Sequence, residues 1–179
     1  MRTTTRFRQL LNEPGIIQAP GAYDCLTSRL IQKAGFPAVY MTGAGTSVAQ
    51  LGYPDLALAS MTEMVQNAAS ITETLDVPLI ADADTGYGNA LNVRRTVEGY
   101  ARAGFACAMI EDQLAPKRCG HTRGKQVVER DEALARVRAA VDARDEGADV
   151  LIMARTDARA THDLDEAIAR CRAFAQLGA

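Results

Sequence analysis

The sequence lacks the features that mark nucleic-acid-binding, membrane or secreted disulfide-rich proteins. Its 20 basic and 22 acidic residues give a formal net charge of -2, so charge gives no reason to expect nucleic acid or an anionic membrane as a partner. No apolar run approaches the roughly 20 residues that span a bilayer. The N-terminal segment has arginines but no apolar stretch, which is not the pattern of a secretory signal.

Cysteine is also scarce: four residues, with no CxxC pair and no pattern of a disulfide framework. This favours a reducing compartment, and we predict a cytoplasmic protein. Cys107 falls in an apolar strand pattern and Cys171 on the apolar face of a helical pattern, so we expect both in the core. Only Cys119, within the polar run Lys117 to His121, has surroundings that suggest chemistry.

What is present is an alternation of strand and helix patterns, repeated five times over 179 residues. The predicted strands lie at 15–20, 38–42, 79–81, 106–110 and 150–154. This order predicts a single parallel α/β domain over residues 1–179. A complete (β/α)₈ barrel takes about 250 residues. The alternatives are therefore a small open sheet or the first five to six βα units of a C-terminally truncated barrel, and we favour the second.

Helix faces and one loop are predicted from periodicity. The first helix after the first strand should bury Leu26, Leu30 and Ile31, and the last should bury Leu164, Ile168 and Cys171. Residues 43–47 are predicted to form a loop after the second strand.

The chain is organised around residues 78–88, PLIADADTGYG, where an apolar run ends in Asp82 and Asp84. Two carboxylates this close repel each other unless a cation or a proton lies between them. Hard oxygen ligands suit Mg²⁺ or Mn²⁺. The alternative is that one aspartate caps the next helix and the other is a solvated loop residue.

Other polar residues also follow predicted strands. The carboxyl ends of parallel strands meet at one edge of a sheet, so we expect these residues to converge into a site for a metal and an anionic carboxylate ligand. The glycine-rich segment from Gly43 to Gly45 can present amides to a ligand oxyanion. The residues concerned are Thr42, Gly43, Ala44, Asp55, Asp82, Asp84, Glu111, Cys119, His121 and Arg155.

Structural explanations stand beside these functional ones. Glu111 could be a helix cap or part of a loop ion pair, and Arg155 could form a structural salt bridge with Asp157. His121 alone would more often be an exposed loop residue, and Thr42 could simply satisfy a backbone group.

Cys119 is the sharpest local signal. Positive charge on Lys117, Arg118 and His121 would favour its thiolate. Such a cysteine can transfer protons near neutral pH or act as a covalent nucleophile. A zinc site is disfavoured because C-x-H supplies too few ligands.

Four stretches together resemble the isocitrate lyase/phosphoenolpyruvate mutase superfamily, and within it the 2-methylisocitrate and 2,3-dimethylmalate lyases. They are VYMTGAGTSVAQLGYPD, PLIADADTGYG, IEDQLAPKRCGH and VLIMARTDA. The resemblance covers essentially the whole chain. It implies a (β/α)₈ barrel with Mg²⁺ at the strand ends, Mn²⁺ being the alternative ion.

The resemblance also implies roles for individual residues. Asp84 matches the direct metal ligand, and Asp82, Asp55 and Glu111 match carboxylates that hold the metal through water. Cys119 matches the catalytic cysteine of the lyases, which the mutase and phosphonopyruvate hydrolase branches lack. The positions that match the binding site for the α-keto acid part are Tyr40, Thr42, Gly43, Ala44 and Arg155. Thr42 replaces a common serine there, and Ala44 a glycine.

The implied reaction is a retro-aldol cleavage of a 2-hydroxy di- or tricarboxylate to a 2-keto acid. Cys119 would be the general acid, Tyr40 a candidate base, and His121 would orient the departing carboxylate. The sequence after His121 resembles dimethylmalate lyase and oxaloacetate hydrolase relatives as much as methylisocitrate lyase. Alternatives are therefore an oxaloacetate hydrolase or decarboxylase, a phosphonate mutase such as carboxyvinyl-carboxyphosphonate phosphorylmutase, or a non-catalytic truncated chain. The resemblance further implies a homotetramer.

Overall fold

The protein forms one parallel sheet with helices between its strands, as seen in a computed structural model that describes residues 1–179. The five strands hydrogen-bond in sequential order and all run parallel. This is the order of consecutive strands in a (β/α)₈ barrel, so the predicted fold class is confirmed. The strands are β1 (Gly21–Ala22), β2 (Val39–Met41), β3 (Leu79–Asp82), β4 (Cys107–Glu111) and β5 (Leu151–Arg155).

Eight α-helices and one π-helical turn accompany the sheet. In chain order they are α1 (Thr3–Asn12), α2 (Cys25–Lys33), α3 (Gly43–Thr46), the π-helical turn Ser47–Leu51, α4 (Met61–Glu73), α5 (Ala90–Arg102), α6 (Arg130–Asp145), α7 (Ala158–Thr161) and α8 (Leu164–Leu177). Capping chemistry determines several of the starting points. Ser60 and Glu63 form a complete capping box at α4, and the Asp24 carboxylate accepts from Thr27 N–H at α2.

The core lies between the sheet and the inner stripes of α4, α5 and α6. Met64 and Ile71 of α4 and Val93 and Val97 of α5 are fully or almost fully buried, at spacings of seven and four residues that place each pair on one helix face. Cys107 is also buried, which confirms its predicted place. On the opposite face of the sheet, the side chains in contact with Phe7 of α1 include Ile80, Ala106 and Cys107.

Two helix-face predictions are wrong. Leu26 and Leu30 of α2 are exposed, because this helix turns the fully buried Ser28 toward the core. Leu164, Ile168 and Cys171 of α8 are also exposed. That helix instead buries Ala167, Arg170 and Phe174. Arg170 is drawn inward because it donates to Asp112 at 3.1 Å and to the Val128 carbonyl at 2.8 Å.

Two further local predictions are corrected. The first strand begins at Gly21, not at Gly15, because pairing with β2 starts where Tyr40 N–H donates to the Pro20 carbonyl. Ile16, in the predicted strand, is 92% exposed. The predicted loop at 43–47 is helical, since the Thr42 hydroxyl accepts from Gly45 N–H and caps a short turn. None of the helices combines the length and the hydrophobicity that a membrane-spanning segment requires.

Candidate active site

A cavity of about 250 Å³ opens at the carboxyl ends of the strands. Eight of the eleven residues predicted for the site line it: Tyr40, Thr42, Ala44, Asp55, Asp82, Cys119, His121 and Arg155. The remaining three, Gly43, Asp84 and Glu111, contact lining residues. Residues far apart in sequence meet here because parallel strands deliver them to the same edge.

Asp82 is the most firmly positioned carboxylate of the site. Its Oδ2 accepts from Gly43 N–H at 3.2 Å, and its Oδ1 accepts from Asp84 N–H at 3.0 Å. Its carbonyl accepts from the buried Tyr100 hydroxyl at 2.7 Å. A Cβ at position 43 would lie 2.7 Å from Asp82 Oδ2, so only glycine allows this approach.

Asp84 occupies a turn with an unusual backbone. Its φ is 47°, the left-handed region that non-glycine residues rarely adopt. The turn is held because Ala83 N–H donates to the Met109 carbonyl and Glu111 N–H to the Asp84 carbonyl, each at 2.8 Å. Pairing with β4 therefore stabilises a backbone conformation that carries the carboxylate to the strand end.

Lys117 is the site residue that sequence reasoning missed. The sequence places its charge beside Cys119, but its Nζ lies 2.7 Å from Asp55 Oδ1 and 2.7 Å from Asp84 Oδ1. Burial lowers the pKa of Lys117, but nearby Asp84 and Asp82 outweigh burial and raise that pKa above its usual value. The ammonium is therefore charged, and it neutralises part of the acidic cluster. The count of acids at the strand ends was the signal that a buried cation was needed.

Two carboxyl groups of the cluster have raised pKa values. Burial, then repulsion from Asp82, raises the pKa of Asp84 to about 6, although Lys117 opposes the shift. Burial raises the pKa of Glu111 to about 7, opposed first by Arg155. Burial and the Asp82 charge raise the pKa of Tyr40 well above its usual value, so its hydroxyl is protonated at neutral pH.

The carboxylates fit a divalent cation through the oxygens that the protein leaves without hydrogen bonds. Glu111 Oε1 is buried and has no hydrogen-bond partner. Asp84 Oδ1 has the Lys117 ammonium as its partner, at 2.7 Å, so a divalent cation there would take the place of that ammonium. Hard, buried carboxylate oxygens suit Mg²⁺. In this arrangement no three His, Cys, Asp or Glu side chains converge closely enough to form a metal centre, since Lys117 lies between Asp55 and Asp84.

Arg155 forms a structural salt bridge and also faces the cavity, where it could bind a ligand. Its guanidinium lies 3.3 Å from Glu111 Oε2 and donates to Asp157 Oδ2 at 2.9 Å, so the alternative salt bridge is present. The side chain is nevertheless 33% exposed and lines the cavity. A Cβ at position 120 would lie 2.3 Å from Arg155 Nη2. Glycine in the KRCGH run thus allows the guanidinium to pack against the loop.

Two backbone N–H groups of the segment from Gly43 to Gly45, which we expected to present amides to an oxyanion, are already hydrogen-bonded within the protein. Gly43 N–H donates to Asp82, and Gly45 N–H donates to the Thr42 hydroxyl at 3.2 Å. Only the N–H of Ala44 makes no hydrogen bond to a side chain. Thr42 therefore satisfies a backbone group, as the alternative explanation held, while also lining the cavity.

Cys119 is half-buried in the cavity wall. Its N–H donates to the Asp55 carbonyl at 3.2 Å, and its carbonyl accepts from Thr122 N–H at 2.9 Å. The cysteine loop is therefore tied to the loop that carries a carboxylate of the cluster. His121 is exposed at the mouth of the cavity.

Comparisons with known proteins point to one group of enzymes. Residues 7–179 match the family model described as phosphoenolpyruvate phosphomutase. The chain is 50% identical over 179 residues to 2,3-dimethylmalate lyase of Eubacterium barkeri, covering 100% of this chain and 62% of that protein.

Solved structures agree. Oxaloacetate acetylhydrolase in complex with the inhibitor 3,3-difluorooxalacetate superposes with a TM-score of 0.95 at 48% identity, covering 99% of this chain and 61% of that one. Phosphonopyruvate hydrolase in complex with oxalate and Mg²⁺ superposes with a TM-score of 0.89 at 32% identity, covering 100% and 61%. The chain therefore spans less than two thirds of the length of these relatives.

Proposed function

The chain belongs to the phosphoenolpyruvate mutase/isocitrate lyase superfamily, and from that premise we propose that it takes part in Mg²⁺-dependent cleavage of a carbon–carbon bond. The proposed substrate is a small 2-hydroxy di- or tricarboxylate of the dimethylmalate or methylisocitrate type. The products are a 2-keto acid, such as pyruvate, and a carboxylate. The observation that carries the proposal is the presence of Cys119, Arg155 and the carboxylate cluster around one cavity.

Anion binding is the first task of the site. Arg155 is permanently charged, partly exposed, and held in place by Glu111 and Asp157, so it can receive the hydroxy-acid carboxylate with little reorganisation. The residues that would hold Mg²⁺ are Asp55, Asp82, Asp84 and Glu111. When bound, Mg²⁺ supplies Lewis-acid stabilisation of charge that develops on the substrate hydroxyl oxygen.

Two proton transfers complete the reaction. A base removes the hydroxyl proton, the carbon–carbon bond breaks toward the departing fragment, and its electron pair remains on the carbon next to a carboxylate. We assign Cys119 as the general acid that protonates this carbon, because its thiol lines the cavity. Tyr40 is protonated at neutral pH, which favours hydrogen-bond donation over the role of base.

A second candidate is hydrolysis of oxaloacetate on the same scaffold. It is supported by the likeness to oxaloacetate acetylhydrolase, whose structure superposes with the same TM-score as that of 2,3-dimethylmalate lyase, 0.95, at 48% identity compared with 46%. The proposed partners are otherwise a small anionic carboxylate and further copies of the chain in a homotetramer. Four unpaired cysteines support a reducing compartment such as the cytoplasm.

The test is release of 2-keto acid from 2,3-dimethylmalate, 2-methylisocitrate, isocitrate and oxaloacetate, with Mg²⁺ and then with EDTA. The lyase proposal expects metal-dependent cleavage of one hydroxy acid and a fall in kcat of about 10²- to 10⁴-fold in Cys119→Ala, because general acids contribute on that scale. Cys171→Ala is the control, since that cysteine is exposed on α8. If Cys119→Ala still turns over oxaloacetate, the hydrolase is favoured. If the folded chain cleaves none of the four substrates, a non-catalytic role is favoured.

A further inference from the structure

Asp157, which follows β5, holds Arg155 in place and also makes contacts that the proposed reaction does not use. Its Oδ1 accepts from Lys125 Nζ at 2.9 Å. Its Oδ2 accepts from Gln113 Nε2 at 3.0 Å and from Arg155 Nη2 at 2.9 Å. Only 11% of the side chain is exposed. One buried carboxylate therefore joins the guanidinium of the cavity to two side chains from another part of the chain.

Those two side chains hold the loop that carries Cys119. Gln113 Oε1 accepts from Arg118 N–H at 3.1 Å, and Gln113 Nε2 donates to the Arg118 carbonyl at 3.0 Å. Lys125 Nζ donates to the Gly120 carbonyl at 2.6 Å. The backbone is thus held on both sides of Cys119 by side chains that also bind Asp157.

Asp157 is itself fixed by the scaffold. Its N–H donates to Asp112 Oδ1 at 3.0 Å. Asp112 Oδ2 in turn accepts from the Thr156 hydroxyl at 2.6 Å and from Arg170 Nη1 at 3.1 Å. The carboxylate therefore has a rigid base and can transmit a change from one partner to the other.

We propose that Asp157 is a positioning residue that couples anion binding at Arg155 to the placement of the Cys119 thiol, acting through Gln113 and Lys125. The inference rests on the proposed function, because only that reaction requires Arg155, which would bind the substrate carboxylate, and the Cys119 thiol, which would donate the proton, to be held at fixed positions relative to each other. The coupling itself is a property of the contacts and can be measured without turnover.

The first experiment compares Asp157→Asn with Asp149→Asn in the purified chain. Asp149 is the matched control, since it pairs with Arg2 and Arg8 outside the site. Two quantities are measured: the affinity for oxalate in the presence of Mg²⁺, and the alkylation rate of Cys119 relative to the exposed Cys171, followed by peptide mass spectrometry. Asp157→Asn should weaken oxalate binding about tenfold, because a charge-assisted contact to Arg155 is lost. It should also raise the relative alkylation rate of Cys119 several-fold, while Asp149→Asn changes neither.

A second variant keeps the proposal testable if Asp157→Asn does not fold. Lys125→Met removes a contact to the cysteine loop but leaves Arg155 paired with Asp157. Coupling between the sites is reciprocal, so oxalate should slow Cys119 alkylation in the wild-type chain, and Lys125→Met should reduce that protection. Unchanged protection would mean that oxalate merely shields the thiol, and it would overturn the proposal.

Failure of the coupling and failure of the proposed function give different results. If the chain binds no oxalate and cleaves no substrate, the proposed function fails. The coupling is then judged on the relative alkylation rate of Cys119 alone, which should still rise in Asp157→Asn and Lys125→Met. If the chain is an active lyase but both variants have wild-type alkylation and wild-type oxalate affinity, only the coupling is wrong.

Discussion

The site has two groups of buried carboxylates that differ in how fully they are hydrogen-bonded. Glu111, at the end of β4, keeps a buried Oε1 without a hydrogen bond, and the Oδ1 of Asp84, just after β3, has only the Lys117 ammonium as a partner. Asp112, which directly follows β4, and Asp157, which follows β5, accept from three donors each. Burial alone therefore does not distinguish the groups, because three of these four residues are at most 6% exposed.

We call Asp112 and Asp157 the scaffold group, and Asp84 and Glu111 the site group. A fully satisfied carboxylate rigidifies its neighbours, and removing it leaves unpaired buried donors. In Asp84 and Glu111, burial raises the pKa of a carboxyl group that has few donors, so a cation that supplies positive charge there would be bound favourably. The comparison predicts opposite responses of the two groups to mutation, to metal and to pH.

The largest effect is expected on stability from the scaffold group. Asp112→Ala should lower the free energy of unfolding by about 3–5 kcal/mol, because it removes one of the two carboxylates that pair with the buried Arg170 and leaves the Thr156 hydroxyl and the Asp157 N–H without their acceptor. Urea denaturation measures this change. Asp149→Ala, at a partly exposed ion pair, should cost no more than about 1 kcal/mol. A loss below that of the control would contradict the scaffold assignment.

The second effect is expected on metal binding from the site group. Asp84→Asn should weaken Mg²⁺ binding by at least about tenfold, measured by calorimetry, because it removes a charged oxygen ligand. It should not lower the stability of the metal-free chain, since burial already disfavours the charged form of this carboxyl. If Asp84→Asn unfolds the chain while leaving Mg²⁺ affinity intact, Asp84 belongs with the scaffold.

The third effect concerns pH. The folded-state pKa of Asp84 is raised to about 6 and that of Glu111 to about 7, so the folded, metal-free chain binds more protons than the unfolded chain between about pH 4 and 7. These two groups therefore stabilise the metal-free fold as pH falls through that window, and their contribution is lost as pH rises.

Mg²⁺ must displace the same protons, so its affinity should fall about tenfold between roughly pH 8 and pH 6. Calorimetric titration at the two pH values measures this. The variant Asp84→Asn/Glu111→Gln, which cannot titrate at either position, should lose the pH dependence. A profile that is unchanged in this variant would assign the dependence to other groups.

The smallest effect is expected from the counter-ion. Lys117→Met should tighten Mg²⁺ binding several-fold, because Mg²⁺ would no longer compete with an ammonium for Asp55 and Asp84. It should also destabilise the metal-free chain. Lys125→Met is the matched control, since that lysine pairs with Asp157 in the scaffold group and should leave Mg²⁺ affinity unchanged. Weaker Mg²⁺ binding in Lys117→Met would show that Lys117 supports the cation.

Prediction from sequence succeeded where a pattern is compatible with only one kind of structure. Apolar runs followed by acids predicted parallel strands that end at a site, and the strand order and family are confirmed. The prediction of the buried helix face was wrong at α2 and α8, where periodically spaced apolar side chains are exposed. At α8 the reason is Arg170, whose partner Asp112 lies 58 residues away in sequence and cannot be identified from the helix itself.

The sequence by itself determined the alternation of strands and helices and the residues at the strand ends, because local periodicity and chain order encode both. Only the tertiary structure decided which acids are satisfied and which are not. It paired Lys117 with Asp55 and Asp84, rather than with Cys119, and Asp157 with donors from three different segments. Charges in a buried site interact through space at distances that sequence separation does not report, so their partners emerge only when the strand ends are brought together.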